Sequence, residues 1–230
     1  MQPEILGVGR ADSVGLVGSA GPAVSWNDLG TQPGGTAKTF QALFGKEHKN
    51  FRRLDRAARL LSMACEATGV FSLISDSERQ ETALVIETER GCMQTDQVFA
   101  ASLNAGVADS NAFPYTLSNT CLGELAIQYG LRGPSLCLSV EPQQDGVAFT
   151  EAVHLLEMGD ARNVVVGRLE CLDVAVAGWQ PQLLALVAVL TVGSGDKALL
   201  LPSSSKVLWP ESGRASFSWL DEQVTRVCPQ

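Results

Sequence analysis

The chain is poor in histidine, in paired cysteines and in positive charge, and each shortage excludes a class of function. It carries 17 Lys and Arg against 25 Asp and Glu in 230 residues, for a formal net charge of -8 and a pI near 4.8. No basic stripe exists to neutralise phosphates, which argues against a nucleic-acid binder. The one dense basic segment, Arg52 to Arg59, falls on a predicted helix and reads as a solvated face. Only His48 and His154 are present, neither near paired cysteines, so a zinc site has no support. The six cysteines (Cys65, Cys92, Cys121, Cys137, Cys171, Cys228) show no C-x-x-C spacing. Several sit inside apolar runs, where a free cysteine behaves as a small hydrophobe. With no signal peptide at the N-terminus, they read as reduced thiols of a cytoplasmic protein. The most apolar segment, Leu183 to Val192, is far short of the ~20 residues a membrane span needs. Gly15, Gly18 and Gly21 recur every three residues, but no G-x-G-x-x-G leads from a strand into a helix, which rejects a nucleotide site. No internal repeat, no low-complexity segment and no cofactor signature is found.

What is present is a folded chain, with 45% hydrophobic and 18% charged residues, long enough for one domain with a substantial core. Ile5-Leu-Gly-Val8 suggests a first short strand, and residues 12–50 read as an extended loop with a helical turn near Phe40–Phe44. Leu54, Ala57, Ala58, Leu61, Ala64 and Cys65 fall on one helical face, and Gly69 supplies a stop. Thr82–Ile86, Leu136–Val140, Asn163–Gly167 and Leu184–Val192 read as strands, the first of the type buried in a parallel sheet. Helices are expected around Asp96–Leu103, Thr120–Tyr129 and Val147–Met158. Gly193-Ser-Gly-Asp196 would join Leu184–Val192 to Lys197–Leu201 as a β-hairpin. The expectation is an α/β fold: a mixed, mostly parallel sheet with helices on both faces and a C-terminal hairpin. Residues 1–202 would form one domain, with 203–230 a weakly patterned tail packing on the surface through Trp209 and Trp219.

The stretch Ser139-Val-Glu-Pro-Gln-Gln-Asp-Gly146 carries the most information. A strand ends at Pro142 and a helix starts at Val147, so the segment between is a sharp elbow. Such elbows present a nucleophile to a helix N-terminus, where free N–H groups and the macrodipole favour developing negative charge. Here the tip offers Gln143 and Gln144, whose amides donate hydrogen bonds but cannot attack a carbonyl. Asp145 is placed to cap the following helix, and Pro142 restricts Glu141 before the tip.

Phe113-Pro-Tyr-Thr-Leu-Ser-Asn119, Gly123-Glu-Leu-Ala-Ile127 and Tyr129-Gly-Leu-Arg-Gly-Pro-Ser135 resemble the β-ketoacyl synthases of the thiolase superfamily. Ile5–Gly9, Leu54–Arg59 and Gly159–Gly167 with Glu170 agree in order and spacing, so that the resemblance spans residues 1–202. Active members carry an Ala-Cys-x-Ser-Gly elbow. Aligning its glycine with Gly146 puts Gln143 at the cysteine position, while Cys137 lies inside the preceding strand and reads as a packing residue. The family's second half, with two histidines, has no counterpart here, and neither His48 nor His154 matches those histidines.

The resemblance is closest to the short chain-length-factor-like partner subunits of type II polyketide and aryl polyene synthases. It implies a subunit without independent activity, paired with an active β-ketoacyl synthase as a heterodimer or heterotetramer and served by an acyl carrier protein. It also implies an interface along Leu136, Cys137, Leu138, Ser139 and Val140, and an acyl tunnel lined in part by Phe113, Pro114, Tyr115 and Leu117. Two further readings stay open: a malonyl-carrier-protein decarboxylase using the Gln143 or Gln144 amide, and a homodimeric scaffold that binds acyl carrier protein. Gln143 is read either as a group with chemistry or as a polar residue bonded within its own turn.

Overall fold

The structure is a computed structural model and describes residues 3–176, 178–192, 210 and 214–227. Seven strands form one sheet: β1 (Pro3–Asp12), β2 (Gly15–Gly18), β3 (Gly21–Ser25), β4 (Thr82–Thr88), β5 (Ser135–Ser139), β6 (Asn163–Leu172) and β7 (Gln182–Val192), in the order β3-β2-β1-β7-β6-β4-β5. The sheet is mixed with helices on both faces, as expected, but it is not mostly parallel. Only β4 with β5 and β4 with β6 run parallel; the other four pairings are antiparallel. The difference comes from β7, whose apolar length lies between β6 and β1 and pairs antiparallel with both. The second strand of the expected hairpin, Lys197–Leu201, and the anchor Trp209 lie outside the described residues.

One face is covered by α1 (Ala37–Phe44), α2 (Arg56–Ala67) and α5 (Thr120–Tyr129). The periodic residues of α2 drive it inward: Ala58, Leu61, Ala64 and Cys65 are all buried. Asp55 caps its start by accepting from Ala58 N at 2.8 Å. Gly69 follows its end at φ +71°, a left-handed conformation that suits glycine. The helix sits directly on the sheet because Gly9 carries no side chain; a Cβ there would lie 2.0 Å from Ala64 O. The short helix α3 (Asp76–Gln80) and α4 (Met93–Asn104) flank β4, and a 3-10 turn at Phe113–Thr116 leads towards α5.

The opposite face is covered by α6 (Val147–Met158) and α7 (Phe217–Val227). The segment read as weakly patterned tail is therefore helical at its end, with Phe217, Leu220 and Val224 buried on the sheet and Trp219 packed beside them. The region 12–50 also holds more structure than an extended loop, since β2 and β3 widen the sheet by an antiparallel ribbon before α1.

Candidate functional site

β5 ends at Ser139, and the chain turns through exposed Glu141, Pro142, Gln143 and Gln144 into α6, so the elbow is present. Gln143 is at the exposed tip. Gln144 is the amide that closes the turn, its Oε1 accepting from Glu141 N at 2.9 Å. Asp145 does not cap α6. Its carboxylate reaches across to the start of α7, accepting from Phe217 N at 2.7 Å, Ser218 N at 3.1 Å and Ser218 Oγ at 2.6 Å. The reason is Gly146, which enters α6 at φ +94° and turns the preceding residue away from the helix it would cap.

The start of α6 is served from below by Glu87, at the carboxyl end of β4. This fully buried carboxylate accepts from Gly146 N at 3.3 Å and Ala148 N at 2.9 Å. The position where an elbow nucleophile or oxyanion would meet free N–H groups thus holds the chain's own anion. Arg168 on β6 ties the arrangement together, reaching Glu87 at 3.4 Å, Gln144 O at 3.5 Å and the Glu89 carboxylate. Buried Glu170 accepts from Glu89 N at 2.8 Å and Arg90 N at 3.2 Å and pairs with the Arg90 guanidinium at 3.1 Å. Arg90 in turn bonds Gln182 Oε1 at 2.6 Å and stacks over Trp179. Burial pushes the Glu87 and Glu170 carboxyls above the usual carboxylate range, against their N–H and guanidinium partners. This network went unread in the sequence, although a glutamate ending the apolar run of β4 and an arginine inside the apolar run of β6 were its signals.

β5 is the last strand of the sheet, bonded to β4 on one side only. Leu136, Cys137 and Leu138 are partly exposed, Ser135 and Ser139 exposed, and Val140 buried just past the strand. Leu136 and Leu138 pack towards the α6 layer and Cys137 towards the α5 layer. The Cys137 thiol points at Ser118 O (3.5 Å), and burial, then Cys92, raises its pKa. It is a protonated packing group, several residues short of the elbow. All five described cysteines are free thiols.

The lead-in to α5 divides. Tyr115 is buried with its hydroxyl on Glu124 at 3.1 Å, whereas Phe113 is 60% and Leu117 64% exposed. Pro114 lies exposed within the 3-10 turn, its carbonyl accepting from Thr120 Oγ1 at 2.6 Å. Tyr115, Leu117, Cys92, Cys121 and Cys137 surround a cavity of about 20 Å³, room for about one water and not for an acyl chain. His48 lies far from the elbow in sequence, whereas His154 follows it on α6 and borders the same open groove as Gln144 and Asp145. His48 is buried among Phe40 and Phe51, and His154 is exposed on α6. Among the described residues no His/Cys/Asp/Glu group suits a metal ion, and no helix is long and apolar enough to cross a membrane.

No protein-family model matches this sequence, and no curated protein matches it significantly. Solved structures do match by shape. The ishigamide ketosynthase/chain length factor superposes with a TM-score of 0.56 at 16% identity, over 85% of this chain and 63% of that one. The ketosynthase ApeO in complex with its chain length factor ApeC, from Xenorhabdus doucetiae, superposes with a TM-score of 0.53 at 17% identity, over 85% of this chain and 81% of that one. The chain therefore spans less than two thirds of the ishigamide protein's chain. Its fold is the thiolase-like fold of ketosynthases and chain length factors.

Proposed function

We propose that the chain is a non-catalytic, chain-length-factor-like subunit that pairs with an active β-ketoacyl synthase in polyketide or polyene synthesis. The observation that carries this reading is the elbow: an exposed glutamine stands at its tip, and Glu87 occupies the helix N-terminus behind it. A condensing enzyme needs a thiolate and free oxyanion donors in one cavity; this elbow offers neither. What the fold retains is an uncharged edge strand, β5, with exposed Leu117 near its Cys137. Such an edge is a liability unless a partner covers it. The exposed Phe113 and Leu117 would then complete a tunnel wall that this chain does not enclose by itself. Acyl carrier protein would be met by the assembled pair.

The test is co-expression with type II ketosynthases. Stoichiometric copurification is expected, and a stable monomer indifferent to any such synthase overturns the reading. A second arm addresses decarboxylation. Mass spectrometry of a malonyl-carrier substrate is expected to show no product above background, with Gln143→Ala unchanged. Product that disappears in Gln143→Ala would make the glutamine chemical and the proposal wrong.

A further inference from the structure

We propose that Cys121 and Cys137 form a modification site, a dithiol that a two-electron oxidant of the peroxide class converts to a disulfide, stapling α5 to the edge strand β5.

The sequence scatters its cysteines, but the fold brings three of them to one place. Cys92 precedes α4, Cys121 lies in the first turn of α5, and Cys137 is the middle residue of β5. With Ser118 they border the cavity of about 20 Å³. The helix start fixes Cys121, whose thiol turns back onto Ser118 O, three residues earlier, at 3.4 Å. Strand alternation fixes Cys137. Leu136 and Leu138 pack towards the α6 layer, so the residue between them faces α5, and its thiol reaches the same Ser118 O at 3.5 Å. Two thiols on one acceptor atom stand as neighbours, since their sulfurs cannot be further apart than those two distances laid end to end. The cavity that both border gives them space to approach the bonding distance of about 2.05 Å. Cys92 is held differently. Its thiol lies on Thr116 O at 3.0 Å and Asp96 Oδ2 at 3.3 Å, and it accepts from Ser118 Oγ at 3.6 Å. That leaves Cys121 and Cys137 as the pair.

Access sets the order of events. Cys137 is partly exposed on the open edge, whereas Cys121 is 6% exposed. Hydrogen peroxide meets Cys137 first: the sulfur attacks one peroxide oxygen, the O–O bond breaks, and a sulfenic acid and water result. Cys121 then attacks that sulfur. The S–S bond forms as the S–O bond breaks, and the Cys121 thiol proton leaves with the hydroxide as a second water. The protein gives up two hydrogens, and the peroxide takes up their two electrons. The step is slow at neutral pH, because burial holds both thiols above their ordinary range. The titratable groups facing them act in the same direction: Cys137 and the Asp55 carboxyl on Cys121, and Cys92 on Cys137. The rate should therefore climb roughly tenfold per pH unit across the neutral range, following the thiolate fraction. Once formed, the bond closes a loop that contains most of α5, which restricts the unfolded chain and stabilises the folded one.

The experiment takes the full chain alone, because a ketosynthase on β5 would cover Cys137. The reduced native chain is treated with hydrogen peroxide, alkylated in denaturant and digested without reductant for mass spectrometry. A Cys121–Cys137 linked peptide is expected, together with a rise in the urea midpoint that dithiothreitol reverses. Cys92→Ser should form the same bridge. Cys137→Ser, a substitution at a partly exposed position that keeps a hydrogen-bond donor for Ser118 O, should lose both the bridge and the rise. A bridge through any other cysteine, sulfinic acid at Cys137 with no bridge, or a bridge that leaves the urea midpoint in place overturns the inference. None of these readouts depends on ketosynthase binding, so the inference and the proposed function fail separately.

Discussion

At the scale of single residues, Arg168 matters most to the elbow, although it never touches the tip side chains. It stands between Glu87, Glu89 and Glu170, two of them fully buried, and bonds Gln144 O from below. Removing one partner of a buried ion pair leaves the other charge uncompensated, which costs more than the pair itself contributes. Arg168→Ala should therefore destabilise the chain by about 3 kcal/mol near neutral pH, read by urea denaturation. The loss should shrink on acidification. Glu87 and Glu170 already have folded pKa values raised above the ordinary 4.5. Groups of this kind add stability below that ordinary value and lose it as pH rises through the folded one. Without Arg168 the folded values rise further, so the variant and the parent chain should converge as pH falls towards that ordinary value. An equal loss at both pH values would mean that Arg168 acts by packing alone.

At the scale of elements, what was legible in the sequence and what was not have different physical causes. The helices α5 and α6 declare themselves because each buries one face, so apolar residues recur at helical spacing, and α2 keeps that spacing although its residues 60–67 are all buried. The strands β4 and β6 show as continuous apolar runs because both faces are covered. The β2–β3 ribbon was hidden by its glycines, which loop-directed reading takes as punctuation, and α7 by a polar exposed face. Strand direction was hidden for a different reason: it depends on where β7 returns, which local pattern does not encode. The elbow was legible by its missing nucleophile, but the carboxylate filling the helix start came from a strand 59 residues away. The loop between α1 and α2 adds a case that only packing reveals. His48 is buried beside Phe40 and Phe51 with neither ring nitrogen hydrogen-bonded, and burial lowers its pKa from 6.5 despite Glu66 and Glu124 nearby. A lowered folded value means that the unfolded chain takes up the proton first. Stability is complete above pH 6.5 and is lost as pH falls towards the folded value. His48→Leu should leave neutral stability unchanged or raised by about 1 kcal/mol, and should flatten the thermal-midpoint profile below pH 6.5. A profile as steep as the parent's would assign the acid sensitivity to another group.

At the scale of the whole molecule, the chain keeps the fold of its structural neighbours while the tip of its elbow carries glutamine. The sheet, the elbow and the helix behind it are all in place, yet the anion position at that helix is filled from within and the cavity under Leu117 holds about one water. Under the proposed function the chain acts through its surface, and three of its exposed apolar residues share one part of that surface. Phe113, Leu117 and Ile127 lie on α5 and its lead-in, with Ile127 75% exposed, and Leu117 borders Cys137 of the edge strand. Ile127 has little to lose on substitution in the isolated chain, because surface changes away from caps and networks stay within about 0.5 kcal/mol. An apolar residue desolvated at the centre of an interface behaves differently, and replacing it with a charge there costs about 2 kcal/mol or more. On the proposed pairing, Ile127→Glu should therefore leave the urea midpoint of the chain alone unchanged while weakening the binding of a ketosynthase at least about tenfold. Titration of the labelled variant against the purified synthase measures the second quantity. Unchanged affinity would remove α5 from the pairing surface and leave the β5 edge to hold the partner by itself.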